Sequence, residues 1–216
     1  MNHFLDLVKQ ILMNKTLYRI LFNWQIYQHC QNLKGEILDL AAGKQPSYYS
    51  YLKQGNISII KADQASQAPD ITIDLNEPFS LKNQYETIFL FNTIYILESP
   101  EKTIKECYRF LKENGTLFFS SPFIYNESPE PHDYHRFTSE GLHKLLINAG
   151  FKEIKIIPFG ERFTAATSLI NKFFLFNIIK IPIYSLAIIL DRLVPKKIKR
   201  LHPCPLGYFC IARKTS

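Results

Sequence analysis

The stretch from Tyr85 to Phe91 is close to continuously apolar and shows no inside–outside alternation. A strand of that kind is covered on both faces, and sheets covered on both faces are almost always parallel ones built from strand–helix units. The rest of the chain agrees. Short apolar runs at 36–40, 57–60, 71–73, 85–91, 116–120, 154–157 and 207–212 read as seven strands. Helical spacing fills most of the intervals. Phe4, Leu5, Val8, Ile11 and Leu12, then Leu17, Ile20, Leu21, Trp24 and Tyr27, predict one or two amphipathic helices. Pro46 suits the first turn of a helix running to Lys53, and Pro100 opens another to Lys112. Thr138 can cap a helix over 139–149 that ends at Gly150. The expected architecture is an α/β, doubly wound, mostly parallel seven-stranded sheet with an apolar helical insertion before the last strand. It divides into N-terminal helices (1–34), the sheet domain (35–160 plus 205–216) and the insertion (161–204).

In an open parallel sheet, ligands bind beyond the carboxyl ends of the strands, where the strand order switches. The first such loop, Asp39-Leu40-Ala41-Ala42-Gly43, is made of small residues that let backbone approach a ligand. Asp39 can either anchor this loop or touch the ligand. Asp63 follows the second strand, where a carboxylate can accept both hydroxyls of a ribose. Asp74 follows the third, in reach of an adenine amino group. Asn92 and the pair Ser120-Ser121 follow the next two. Two acids at successive strand ends describe an adenosine pocket. The chain has no GxxxxGK[ST] phosphate loop, and Gly43 stands without the other glycines of a dinucleotide fingerprint.

These residues resemble a family. Ile37 to Gly43, Asp63, Asp74-Leu75, the strand start Tyr85-Glu86-Thr87-Ile88 and the run Phe110-Leu111-Lys112-Glu113-Asn114-Gly115-Thr116-Leu117 are similar to class I S-adenosylmethionine methyltransferases, in their type-11-like branch. The likeness covers residues 33–160 and the final strand. His132-Asp133-Tyr134-His135-Arg136-Phe137-Thr138 is its most distinctive part, similar to a subgroup tied to cell-envelope saccharide pathways. The resemblance implies S-adenosylmethionine as cofactor. Ala41 and Gly43 would lie at its methionine end, Asp63 at the ribose, Asp74 beside adenine and Asn92 near the sulfonium. It also implies a last, antiparallel strand beside the sixth. Three positions depart from the family pattern. Ala41 stands where glycine is usual, as often does Gln45, and Tyr95-Ile96 stand where an acidic–histidine pair is common.

His132 and His135 are the candidate general bases, because their loop follows a strand end and histidine titrates in the useful range. Their spacing is not a recognised metal-ligand set, and no metal is expected. The competing reading of the loop is structural, with Arg136 paired to an acid and Thr138 capping a helix.

Charge and the insertion point to the surroundings. After Asp191 the chain carries Arg192, Lys196, Lys197, Lys199, Arg200, Arg213 and Lys214 and no acid, which accounts for the whole net charge of +7. A neutral body with a basic end suits an anionic membrane surface better than nucleic acid, and it suits a plain solvated tail equally well. Asn92-Thr93-Ile94-Tyr95 is not the Pro-Pro-Tyr type of tetrad found in amino-directed enzymes. The connection 159–206 is far longer than a hairpin and strongly apolar, but Lys172, Lys180 and Asp191 interrupt it before any run reaches a bilayer-spanning length. It can lie in a membrane interface or pack as a helical pair on its own domain. Four cysteines without paired spacing are expected to stay reduced, and the start of the chain, with Asp6 and no small-residue cleavage site, reads as helix rather than secretory signal. The expected protein is a cytoplasmic enzyme, peripheral at the inner face of the membrane. It would methylate an oxygen on a small-molecule, saccharide or lipid-linked acceptor. The alternative is an inactive scaffold on the same fold.

Overall fold

A computed structural model of the chain describes all residues except 44–45, 53–54, 65–68, 129–131 and 216. Two helices, α1 (His3–Leu12) and α2 (Leu17–His29), precede β1 (Gly35–Leu40). Asn2 caps α1 and Thr16 caps α2, each accepting backbone N–H groups of the first turn. After β1 a 3-10 turn over Ser47–Tyr51 stands where a helix to Lys53 was expected, and the end of that expected helix lies outside the described residues. There follow β2 (Ile57–Ala62), β3 (Tyr85–Phe91), α3 (Pro100–Phe110), β4 (Leu111–Pro122), α4 (Ser139–Ala149) and β5 (Glu153–Phe159). The insertion holds α5 (Arg162–Leu169), α6 (Asn177–Leu193) and α7 (Lys196–Leu201), and β6 (Gly207–Arg213) closes the chain.

The sheet runs β2-β1-β3-β4-β6-β5. The first four strands are parallel, and β6 lies antiparallel between β4 and β5. The order reverses between β1 and β3, which puts the switch point at their carboxyl ends.

Among the described residues six strands form, not seven. The segment Ile71–Ile73 pairs only through Ile71, in a single parallel bridge to Ala62. Two local bonds stop it growing. The Asp70 carboxylate accepts the Lys61 N–H at 2.8 Å, taking one place in the ladder. Asp74 accepts the Asn76 N–H at 2.9 Å and starts a turn. Ile73 and Leu75 then bury themselves against the sheet rather than extending it. Two smaller boundaries also move. Extended backbone begins at Leu111, paired with Tyr85 across a register shift, so α3 stops short of Lys112. The apolar stretch 163–193 is broken by a 3-10 turn at Asn171–Phe173. The helix after Thr138 forms as expected, with Gly150 left-handed at φ 106°.

One sheet face is covered by α3 and α4, over Ile88, Leu90, Leu117 and Phe119. The opposite face is covered by α1, α2 and the insertion together. Leu7 and Ile11 of α1, Ile20, Phe22 and Ile26 of α2, Ala165 of α5 and Tyr184 of α6 share one cluster with Phe89, Phe91, Phe118 and Phe209 of the strands. The Phe22 ring meets Phe91 at 5.1 Å, edge on, and Tyr48 at 6.0 Å. Phe22 is fully buried. Replacing it by Ala is expected to cost about 3–5 kcal/mol, the range for emptying a buried aromatic site. Urea unfolding measures this, and a loss under about 1 kcal/mol would show that the N-terminal helices do not share the core of the sheet.

Candidate functional site

At the switch point a cavity of about 300 Å³ opens beyond β1, β2 and β3. Ala41, Asp63, Asp74 and His132 line it, with Ile73, Leu75, Ile96 and Leu97 supplying apolar walls. Four of the sequence-predicted positions thus come together in one crevice. The loop after β1 makes the tight turn its small residues allow. Gly43 has φ 67° and Ala41 has φ 57°. The conformation at 41 is one that glycine adopts freely and alanine holds at about 1–2 kcal/mol. The family's glycine at this position therefore has a physical reason here. The second departure, at Gln45, lies outside the described residues.

Asp63 joins two loops. Its carboxylate accepts the Gly43 N–H at 2.8 Å, fastening the post-β1 turn to the end of β2. A carboxylate has about four acceptor positions, and the Gly43 N–H takes one of them. Asp74 accepts from Gln64 Nε2 at 3.2 Å as well as from Asn76 N–H, so its position is set by its own turn.

Asp39 does not face the cavity. It is fully buried, and its Oδ2 accepts hydrogen bonds from Tyr48 at 2.6 Å and Tyr49 at 2.7 Å. Its other oxygen, Oδ1, has no partner among the described residues. Burial pushes its pKa up to about 7, against the opposing pull of the two tyrosine bonds. Asp39 thus holds the tyrosine pair behind the loop.

Asn92 is also a bridge. Its Oδ1 accepts from Tyr18 Oη at 2.5 Å and from Ser120 Oγ at 3.0 Å, and its backbone is left-handed at φ 54°. With the oxygen occupied, its buried Nδ2 is left without a partner among the described residues. Burial raises the Tyr18 pKa far above its ordinary value, so that phenol stays a donor.

The loop carrying both histidines is pinned to the turn after β3. The Tyr95 carbonyl accepts the N–H groups of Tyr134 at 2.9 Å and His135 at 3.1 Å. Arg136 pairs with Asp133 and lies over the Tyr95 ring at 5.5 Å, and Thr138 accepts the Gly141 N–H at 3.1 Å. The structural reading of Arg136 and Thr138 is therefore met. The two histidines part company. His132 is exposed and lines the switch-point crevice, its ring stacked on Tyr134 at 5.2 Å. His135 lies in a second cavity of about 280 Å³ with Tyr125, Glu127, Tyr134 and Arg136, and its buried Nε2 has no partner among the described residues. Tyr134 stands between the two rings.

Sequence reading missed Tyr18, Arg19, Tyr48 and Tyr49. Arg19 is half-buried, its guanidinium over the Phe22 ring at 5.5 Å, and its charge acts on Tyr18, Tyr48 and Tyr95. It has no carboxylate partner among the described residues, whereas Arg109, Arg136, Arg162 and Arg213 each have one. Its sequence signal was a cation set among Leu17, Tyr18, Ile20, Leu21 and Phe22, all buried residues of α2.

Residues 39–119 match the family model described as a methyltransferase domain. No curated protein sequence matches the chain. Among solved structures, one from Archaeoglobus fulgidus described as a SAM dependent methyltransferase aligns at TM-score 0.57 and 17% identity, over 91% of this chain and 94% of its own. An S-adenosylmethionine dependent methyltransferase from Mesorhizobium loti aligns at TM-score 0.57 and 16% identity, over 89% and 97%. Phosphoethanolamine N-methyltransferase 2 of Haemonchus contortus, in complex with S-adenosyl-L-methionine, aligns at TM-score 0.58 and 15% identity over 90% of this chain; the chain spans 52% of that enzyme's length. The chain has the fold of the class I methyltransferases, as its sequence resemblance implied.

The buried acid gives a pH test. Asp39 ionises near 4 in the unfolded chain and near about 7 in the folded one. A raised folded pKa means that its contribution to stability is complete below about pH 4 and is lost as the pH rises toward 7. Asp39→Asn, which keeps an acceptor for both tyrosines, is expected to remove that loss. Thermal unfolding from about pH 5 to pH 8 reads it, and parallel melting-temperature profiles for the two proteins would contradict the assignment.

Proposed function

We propose that the chain transfers the methyl group of S-adenosylmethionine to an oxygen of a small-molecule, saccharide or lipid-linked acceptor at a membrane surface. The observation that carries the cofactor part is the single crevice at the switch point, with Asp63 latched to Gly43, Asp74 beside it and apolar walls between. The neighbours named for the same cofactor support it. In this reading Asp63 accepts the ribose hydroxyls and Asp74 lies at the adenine edge. Ile73, Leu75, Ile96 and Leu97 enclose the base. Arg19, a half-buried cation without a carboxylate, takes the α-carboxylate of the methionyl end, since an unpaired buried charge is costly.

When bound, the cofactor supplies an electrophilic methyl group on a sulfonium. The chain's work is alignment. The crevice fixes one reactant, and the adjoining cavity with Tyr125, Tyr134 and His135 receives the other. The acceptor oxygen forms its bond to the methyl carbon as the carbon–sulfur bond breaks toward sulfur. The acceptor proton passes to a base, and His132, exposed at the crevice, is placed to take it. An inactive binding module is the competing reading, and the alanine at the left-handed position 41 is what favours it.

Calorimetry with S-adenosylhomocysteine separates these possibilities. Wild type is expected to bind in the micromolar range and Asp63→Ala at least about tenfold more weakly, the loss of a charge-assisted hydrogen bond. Absence of heat at high micromolar ligand would remove the enzyme reading. Arg19→Gln is expected to weaken S-adenosylhomocysteine about tenfold or more while leaving 5′-methylthioadenosine, which lacks the amino-acid part, unchanged. Equal losses for both ligands would deny Arg19 the carboxylate role.

For the base, His132→Gln is expected to slow transfer to an accepted hydroxyl about 10²–10⁴-fold and to abolish the fall in kcat/KM at acid pH. A mutant with full rate and the wild-type pH profile would assign no proton to His132.

A further inference from the structure

Helix α6 is buried on one side, yet its exposed side is apolar. Lys180, Tyr184, Ala187 and Asp191 form its buried stripe. The opposite stripe, Ile178, Leu186, Ile189 and Leu193, is 72%, 57%, 52% and 71% exposed. Just before it, Phe173, Leu175 and Phe176 are 80%, 83% and 65% exposed. A water-facing helix surface is normally polar. The same pattern recurs on α1, which packs against α6. Leu7 and Ile11 face inward there, while Phe4, Leu5, Leu12 and Met13 are exposed. Large apolar side chains in such density mark an interaction surface.

Charge decides between occupants. The last turn of α6 carries Arg192, the helix α7 follows with Lys196, Lys197, Lys199 and Arg200, and no acid follows Asp191. In a symmetric pairing of two chains through this face, each copy would present the same cations to the other. An anionic lipid surface offers both hydrocarbon for the apolar stripe and phosphate for the cations. Among the described residues no helix is long and apolar enough to cross a membrane, so the fit is to a helix lying in the interface. We propose that the outward stripes of α1 and α6, with the 173–176 turn and the basic helix α7, form one platform that docks the protein onto anionic lipid. This rests on the membrane part of the function proposed above and names its surface and partner. The platform is joined to the crevice through α1. Asp6 accepts from Tyr51 Oη at 2.7 Å, on the segment that follows the cofactor loop, and from Trp24 Nε1 at 2.7 Å.

The test is co-sedimentation of the full chain with vesicles of phosphatidylcholine alone and of phosphatidylcholine mixed with phosphatidylglycerol. Wild type is expected on the mixed vesicles. The combined variant Phe173→Ser, Leu175→Ser, Phe176→Ser and Ile178→Ser changes only exposed side chains and is expected to lose at least about tenfold in partitioning. The combined variant Lys196→Gln, Lys197→Gln, Lys199→Gln and Arg200→Gln is expected to lose its preference for anionic vesicles. Wild type left in the supernatant overturns the proposal, and so does undiminished binding by the serine variant. A wild-type dimer that the serine variant converts to monomer would assign the face to self-association instead. Titration of the same samples with S-adenosylhomocysteine keeps the two readings apart. Vesicle binding without cofactor binding sinks the enzyme and leaves the platform, and the reverse leaves the enzyme alone.

Discussion

A parallel sheet has two faces to bury, and in this chain segments from opposite ends of the sequence cover one of them. Phe89, Phe91, Phe118 and Phe209 project on that face and meet α1 and α2 from the start of the chain and α5 and α6 from near its end. Tyr184 of α6 and Phe22 of α2 are both fully buried in one cluster. The residues matching the methyltransferase model, 39–119, include neither. What lies outside the matched segment is therefore half of the core and not an appendage to it.

The same arrangement explains how the crevice is held. Its floor is strand ends, fixed by the sheet. Its rim is loops, which need something else to hold them. Asp63 ties the post-β1 turn to β2, and the Tyr95 carbonyl ties the histidine loop to β3. Tyr18, from α2, reaches across to Asn92 at the end of β3. Asp39 holds Tyr48 and Tyr49 from beneath. The Tyr48–Asp39 bond is buried, where breaking it leaves a polar atom unsatisfied, and the bonds of Asp63 and Asn92 are part-buried. Two of the side-chain atoms without a partner among the described residues, Asn92 Nδ2 and His135 Nε2, belong to these rim segments, and His135 lines the second cavity.

Much of this was legible in the residues. Tyr85–Phe91 announced a doubly covered strand, and Thr138 with Gly150 marked both ends of α4. Placing Asp63 and Asp74 after strands was enough to bring them to one cavity. The seventh strand was misread because Ile71-Thr72-Ile73 has strand composition, while the bond from Asp70 to the Lys61 N–H is a contact across sequence that composition does not carry. Asp39 sat at a strand end like the other acids, yet it points to the opposite face, and only the pleat of β1 decides that. Arg19 and Tyr18 lie in a segment whose spacing says only that it is an amphipathic helix, since nothing in a single helix tells which strand ends lie above it.

The insertion carries the clearest conflict between composition and burial. Its apolar content alone is consistent with a buried helical pair, and part of it is buried in that way, through Ala165, Tyr184 and Ala187. But a helix of 17 residues has two sides, and the sheet can cover only one. Leaving Ile178, Leu186, Ile189 and Leu193 in water has a cost that a polar replacement at each site would remove at once, since none of them supports the core. Polar residues are available to the chain on the neighbouring turns, where lysine and arginine dominate. The apolar stripe and the basic helix that follows it therefore divide one surface between two chemistries, and an interface of hydrocarbon bordered by phosphate satisfies both at the same time.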